Sequence, residues 1–303
     1  MSHEITIFLK RLGWFVLIPA LGIMLSIPVL DFLNKTKLNG YRVKPGTEIL
    51  LAGDSHISTS LDDRIIPHSV NMALPAEPYY LTFFKLRAVL QTNPGIRKVI
   101  LGFSYHNLSA YLDSNLYGKK GEAITANYFL MLPHSDQWML VRNFSGNLGP
   151  YFKEVLKSGS KNALKPAGRQ SFSGQFDNVF TSSHAVDSSM AKRVRYQYYS
   201  EGSLAGFSEL NMAWLDSIVG LCKTQEVELI FLNTPMHARY RSDIPAPFQK
   251  RYHDMLERYG LPVIDLEADT MEDDRYTPDG DHLSAKGARE ISTAFPKTLM
   301  RVR

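Results

Sequence analysis

The sequence predicts an α/β fold on a parallel sheet covered on both faces, preceded by one transmembrane helix and interrupted by a mostly helical insertion. Three observations predict it. Five short runs rich in Ile, Leu and Val alternate with longer stretches of helical spacing. Strands separated by helices pair in parallel, because each crossover returns the chain to the same end of the sheet. An uncharged run precedes them all, and residues 108–205 break the alternation.

The uncharged run is LGWFVLIPALGIMLSIPVL, nineteen residues from Leu12 to Leu30, with Lys10 and Arg11 before it and Asp31 after it. At about 1.5 Å per residue it covers roughly 28 Å, close to the thickness of a bilayer core. Pro19 and Pro28 are compatible with a membrane helix. The rival is a cleaved signal peptide, but the run exceeds the roughly 7–15 residues of such a core and no Ala-x-Ala-like site follows. Residues 1–32 therefore read as a tail and an anchor that meets membrane lipid through residues 12–30. Charge does not orient it. Lys35, Lys37, Arg42 and Lys44 follow the segment, so the positive-inside count slightly favours an inward domain, whereas a long domain crosses largely regardless of its charge.

Residues 33–46 are polar and rich in turn formers, which suits a stalk. The strands expected next are Glu48–Ala52, Val70–Ala73, Lys98–Gly102, Val227–Asn233 and Pro262–Leu266. The expected helices are Tyr79–Gln91, Gly206–Gln225, Ala246–Tyr259 and Ser284–Leu299. The domain thus runs over 47–303, with the insertion at about 108–205. That insertion shows no clear strand and is too long for one loop, so helices are expected within it, as at Ala123–Leu132 and Asp136–Leu156.

Composition excludes several functions. The 34 Lys and Arg against 30 Asp and Glu leave a net charge of +4, too little for nucleic-acid binding. A single cysteine, Cys222, excludes an internal disulfide and any cysteine-rich metal site. No residue stands at zinc-ligand spacing from His282, and no Gly-rich phosphate loop is present, so no metal or cofactor is expected.

Two segments carry chemistry. The first strand runs into Gly53-Asp54-Ser55-His56, which puts a hydroxyl at the sheet rim, where open α/β proteins place ligands. Ser55 there is either a nucleophile or a helix N-cap. Near the other end stands Tyr276-Thr277-Pro278-Asp279-Gly280-Asp281-His282-Leu283-Ser284, followed by Gly287-Ala288. A histidine that takes a proton from serine needs a carboxylate to hold its tautomer, and Asp279, three residues ahead, can supply it. Asp281 competes for that role, and Ser284 is a cap for the helix that follows.

Gly-Asp-Ser on the first strand together with Asp-x-x-His-Leu-Ser-x-x-Gly-Ala near the C-terminus resembles the SGNH hydrolase (GDSL-like) superfamily of esterases and acyltransferases, over roughly residues 47–107 and 206–300. The resemblance implies a flavodoxin-like three-layer sheet, with Ser55 as nucleophile, His282 as general base and Asp279 as its orienting carboxylate. It also implies two oxyanion blocks, and both depart from the usual pattern. Asn71-Met72-Ala73-Leu74-Pro75-Ala76 puts Ala76 where a glycine is usual. Gly102-Phe103-Ser104-Tyr105-His106-Asn107 has Ser104 where an asparagine is expected, so Ser104 or Asn107 takes that role or a donor is missing. One lost oxyanion donor costs roughly 2.7–4 kcal/mol of transition-state stabilisation.

Gly-Asp-Ser-His is similar to the domains appended to membrane acyltransferases of bacterial surface glycans. What this implies is a single-pass protein of the bacterial inner (cytoplasmic) membrane, with its catalytic domain extracytoplasmic. Ser55 would pass an acyl group, usually acetyl, from an acyl donor to a cell-surface polysaccharide acceptor, beside a multi-spanning membrane acyltransferase. Two alternatives stand: an esterase or deacetylase acting alone on a carbohydrate or lipid ester, and a non-catalytic glycan-binding scaffold. His56 either contacts substrate or caps a helix, and His237 is either a substrate contact or a loop residue. Asp54 suits a structural role tying loops together. The basic and aromatic cluster Arg193–Tyr199 either stacks on sugars and pairs with an anionic polymer or is a solvated helix face.

Overall fold

The computed structural model describes residues 3–38, 42–114, 119–129, 132, 134–143, 148–163, 176–181, 183–267 and 271–301. In chain order the elements are α1 (His3–Leu38), β1 (Ile49–Ala52), α2 (Ser55–Ser60), β2 (Ser69–Asn71), α3 (Tyr79–Thr92), β3 (Lys98–Gly102), α4 (Lys119–Tyr128), α5 (His134–Asn143) and α6 (Leu148–Ala163). They continue with α7 (Asp187–Tyr198), β4 (Tyr199–Ser200), β5 (Ser203–Leu204), α8 (Glu209–Thr224), β6 (Glu228–Asn233), α9 (Ala238–Ser242), α10 (Ala246–Tyr259), β7 (Val263–Asp265) and α11 (Ala285–Leu299).

Two compact units divide the chain, one of Met1–Gly40 with Thr125–Arg169 and one of Tyr41–Ile124 with Gln170–Arg303. The expected insertion is therefore split, its middle in the first unit and its two flanks with the sheet. In the first unit α1 packs along α6, and Leu140, Tyr151 and Val155 are buried. The run from Leu12 to Leu30 falls inside α1, where Trp14, Phe15, Ile18 and Leu25 are exposed. Among the described residues no helix is long and apolar enough to cross a membrane. Of the expected stalk, residues 33–38 continue α1 and residues 39–41 lie outside the described residues.

The second unit holds a five-stranded parallel sheet in the order β2-β1-β3-β6-β7. Four of the strands lie within the apolar runs read from the sequence, and β2 overlaps its run but starts one residue earlier, at Ser69. Alternation sends successive side chains to opposite faces. Leu51, Ile100, Ile230, Leu232 and Ile264 join Ile57 of α2 and Ile291 and Phe295 of α11 in one core. Leu50, Val99, Leu101 and Phe231 are also buried, so both faces of the central strands are covered. From β1 the chain steps outward to β2, then back across to β3 on the other side of β1. The strand order reverses between β1 and β3, and their C-terminal ends flank the crevice where such sheets bind ligands.

The insertion departs from expectation in two respects. It contains a strand pair, β4 with β5, antiparallel around Glu201 and Gly202. Both of these residues have positive φ, as a tight hairpin requires, and the polar sequence Tyr-Ser-Glu-Gly-Ser-Leu hides such short strands. Its expected helix Asp136–Leu156 is two helices, α5 and α6, with residues 144–147 outside the described residues. Pro150 stands in the first turn of α6, where a missing N–H is harmless. The expected Ala123–Leu132 helix is α4, shifted towards the N-terminus, and residues 130 and 131 lie outside the described residues.

Candidate active site

Strand β1 ends at Ala52 and the chain turns at Gly53, whose φ of +134° favours glycine. A Cβ there would lie 3.2 Å from the Gly102 nitrogen and from Ile57 Cγ1, so the two strand ends meet closely. Asp54 then caps α2, its Oδ1 accepting from the His56 N–H at 3.0 Å. Capping thus falls to Asp54, and Ser55, the first residue of the helix, keeps a half-buried hydroxyl at the rim.

The loop before α11 brings the second segment to the same place. Ser284 caps α11, accepting from the Gly287 N–H at 3.3 Å. Gly287 is required because a Cβ would fall 2.3 Å from the Arg275 carbonyl oxygen. The His282 Nε2 lies 2.8 Å from Ser55 Oγ, and its Nδ1 lies 3.0 Å from Asp279 Oδ2. The other oxygen of Asp279 accepts from Thr277 Oγ1 at 2.6 Å and from the N–H groups of Asp281 at 3.1 Å and His282 at 3.3 Å. That oxygen is held by three donors, which leaves its partner to face the imidazole.

Behind this chain lies a buried layer that the sequence did not disclose. The His56 ring stacks on His106 with centroids 4.1 Å apart and tilts against His282 at 4.9 Å. Its Nδ1 is 3.1 Å from Thr234 Oγ1, and its Nε2 is 3.1 Å from Asp281 Oδ1. Asp281 therefore faces His56, and its Oδ2 accepts from Arg193 Nε and Gln197 Nε2, each at 2.8 Å. His106 Nε2 is 2.6 Å from Asp54 Oδ2, which also accepts from Asn107 Nδ2 at 3.0 Å. His106 drew no attention in the sequence, since its partner lies 52 positions away. Arg193 was legible only as one of a basic cluster.

Charge follows from these contacts. Burial would raise the Asp279 pKa, but the His282 hydrogen bond and charge outweigh it and hold it at about 2. Asp281 is held well below the usual carboxylate range, because His56 and Arg193 overcome its burial. Asp54 is likewise held low, burial being outweighed by His106 and His56. Burial pulls the His56 imidazole down. Burial would do the same to His282, but the hydrogen bond and charge of Asp279, with Asp281, raise it above its ordinary value.

The remaining expected residues are all near the strand ends. Ala76 has φ +61°, the left-handed conformation that favours glycine. The Gly102 carbonyl accepts from Tyr79 OH at 2.7 Å, and a Cβ on Gly102 would lie 2.6 Å from Ile57 Cγ1. Asn107 is buried, its Oδ1 accepting from the Ser104 N–H at 2.8 Å and its Nδ2 donating to Asp54, so its amide ties the loops together. Ser104 is also buried, its Oγ 3.9 Å from Met236 Sδ. His237 caps α9 through its Nδ1 and reaches Asp273 with its Nε2 at 3.1 Å.

Phe180, Lys192, Arg193, Tyr196, Pro278 and Asp279 line a cleft of about 370 Å³. Among the described residues, His56, Asp281 and His282 offer donor atoms within 4.8 Å of one another that suit a metal ion. His282 is engaged by Ser55 and Asp279, and Asp281 Oδ2 by Arg193 and Gln197, while His56 Nε2 and Asp281 Oδ1 face each other at 3.1 Å.

No protein-family model matches the chain, and no curated protein does. Among solved structures it is similar to a proposed acylhydrolase of Bacteroides fragilis NCTC 9343, with TM-score 0.38 and 11% identity over 85% of this chain and 88% of that one. It is similar to a GDSL-like lipase of Bacteroides thetaiotaomicron VPI-5482, with TM-score 0.38 and 11% identity over 86% and 90%. A proposed platelet activating factor of Streptococcus pneumonia gives TM-score 0.36 and 13% identity over 99% and 98%. At such scores the functional reading rests on the geometry of the site itself.

Proposed function

We propose that the chain is a serine-dependent acyl-transfer enzyme of SGNH (GDSL-like) type. One observation carries the reading: Ser55 Oγ, His282 and Asp279 form a continuous hydrogen-bonded chain at the C-terminal ends of the parallel strands. In the mechanism, His282 Nε2 takes the Ser55 proton as Oγ attacks the ester carbonyl, and Asp279 stabilises the imidazolium. Backbone N–H groups of Ser55 and Ala76 receive the oxyanion. The proton passes from His282 to the departing alkoxide, leaving an acyl-Ser55. A second hydroxyl, deprotonated by His282, then attacks that ester, and His282 returns the proton to Ser55 Oγ as it departs.

The acceptor we assign is a hydroxyl of an extracytoplasmic polysaccharide. The cleft beside Asp279 supports it, since Phe180 and Tyr196 offer faces for a sugar ring and Lys192 a cation for an anionic polymer. The exposed apolar side chains of α1 support its lying against a membrane, and we assign the sheet unit to the extracytoplasmic side. An activated donor then has to cross the membrane, which calls for a multi-spanning acyltransferase partner. A second reading, a stand-alone esterase, is favoured by the half-buried Ser55 and His282, which water can reach.

Labelling with a serine-reactive phosphonate tests the assignment. The adduct is expected on Ser55, and surface-glycan acetylation is expected to disappear in Ser55→Ala; an adduct elsewhere, or unchanged acetylation, overturns it. Rapid turnover of a chromogenic acetate ester with no gain on adding glycan decides for the esterase.

A further inference from the structure

Two carboxylates, Asp279 and Asp281, stand two residues apart in one turn, and a single imidazole follows them. We propose that Arg193 is a positioning residue for the Ser55–His282 pair: its guanidinium binds Asp281 and stands beside Asp279, so that of the two acids Asp279 alone hydrogen-bonds His282. The inference rests on the acyl-transfer reading and extends it to a residue of the insertion.

The geometry separates the two acids. Arg193 Nε lies 2.8 Å from Asp281 Oδ2 and 3.9 Å from Asp279 Oδ2, the oxygen that faces His282 Nδ1. Asp281 is buried to 1% exposure, where an uncompensated carboxylate is costly, and Arg193 is its fixed countercharge. The groups facing His282 are Ser55 and His56 from α2, Asp279 and Asp281 from its own turn and Arg193 from α7, with His106 stacked behind His56. With Arg193 present, the two acids carry one net negative charge, which a single imidazolium neutralises during transfer. Without it they carry two, and His282 holds its proton more tightly and is a poorer base at neutral pH. Lysine at this position keeps the charge but loses the planar fork.

The experiment measures the rate of phosphonate labelling of Ser55 against pH in the full chain and in Arg193→Lys and Arg193→Met, with the His282 ring titrated by NMR in each. Arg193→Met is expected to label roughly ten- to a hundredfold more slowly. Its midpoint should lie about one pH unit higher. Arg193→Lys should recover the midpoint and part of the rate. A wild-type midpoint in Arg193→Met overturns the proposal whether or not the rate falls, because a merely structural role leaves the titration in place. If Arg193→Met does not fold, as circular dichroism would show, Arg193→Gln carries the same comparison. Absence of label on wild-type Ser55 overturns the acyl-transfer reading instead. The ring titration then still decides for Arg193, a raised His282 midpoint supporting its placement and an unchanged one refuting it.

Discussion

Ser55 Oγ and His282 Nε2 lie 2.8 Å apart although 227 positions separate them in the chain. His282 can accept the serine proton only when neutral. The Asp279 hydrogen bond and the charges of both acids raise its pKa above the ordinary 6.5, against the effect of burial. Activity is therefore present above that raised value and lost as pH falls through it. An acid limb of kcat/KM at or below the ordinary imidazole value would show that these acids do not govern the base.

Asp279→Asn keeps the shape of the turn but removes the charge that raises His282. Two effects follow, a fall in kcat on the order of 10⁴-fold, as when a triad carboxylate loses its charge, and a shift of the acid limb to lower pH. Both are read from one pH–rate profile. Asp281→Asn tests the competing carboxylate, and a larger loss there than in Asp279→Asn would reverse their roles.

Gly102→Ala places a methyl group 2.6 Å from Ile57 Cγ1, two residues after Ser55. Ile57 is fully buried, so α2 has to shift and take Ser55 with it. Overpacking of this kind costs about 1–3 kcal/mol. The expected result is a lower denaturation midpoint together with slower labelling of Ser55; unchanged labelling would show that Ile57 yields without moving the helix.

The five strands were legible because Ile, Leu and Val concentrate there and both faces of the sheet are buried. Ser55, Asp279 and His282 could be singled out because a hydroxyl just after the first strand, and a carboxylate three residues before an imidazole ahead of a helix, are short local motifs. The layer behind them was not. Asp281 and Arg193 are 88 positions apart, and nothing local to α7 distinguishes a guanidinium that turns inward from its neighbours Lys192 and Arg195, which are exposed. Asn107 shows the converse. Its position suggested an oxyanion donor, yet its amide is occupied by Ser104 and Asp54, a pairing visible only in three dimensions.

Lys85 is fully buried in α3, with Nζ 2.5 Å from Glu77 Oε2 and in contact with the Met72 carbonyl. These bonds bracket the turn that carries Ala76, the assigned oxyanion donor. Lys85→Met leaves the Glu77 carboxylate, still bonded by Thr82, without its buried countercharge, a loss of about 3–5 kcal/mol. Adding Glu77→Gln should return part of it, and denaturant titration of the single and double variants measures this. Equal losses in both would mean that packing, not charge, holds the turn.

Asp54, Asp279 and Asp281 all have pKa values held below the ordinary carboxylate value, through His106, His282, His56 and Arg193 acting against burial. The sign of the linkage is set by this depression. Their contribution to stability is fully present above the unfolded value near 3.8 and is lost as pH falls through the lower folded values, when the native state must take up protons. Asp54→Asn removes one of these groups together with the anionic partner of His106. The variant is expected to be less stable at neutral pH and to lose less additional stability between neutral and strongly acidic pH than the wild type. Urea midpoints across that range read both quantities, and parallel curves for the two proteins would show that the Asp54–His106 contact contributes nothing through its charge.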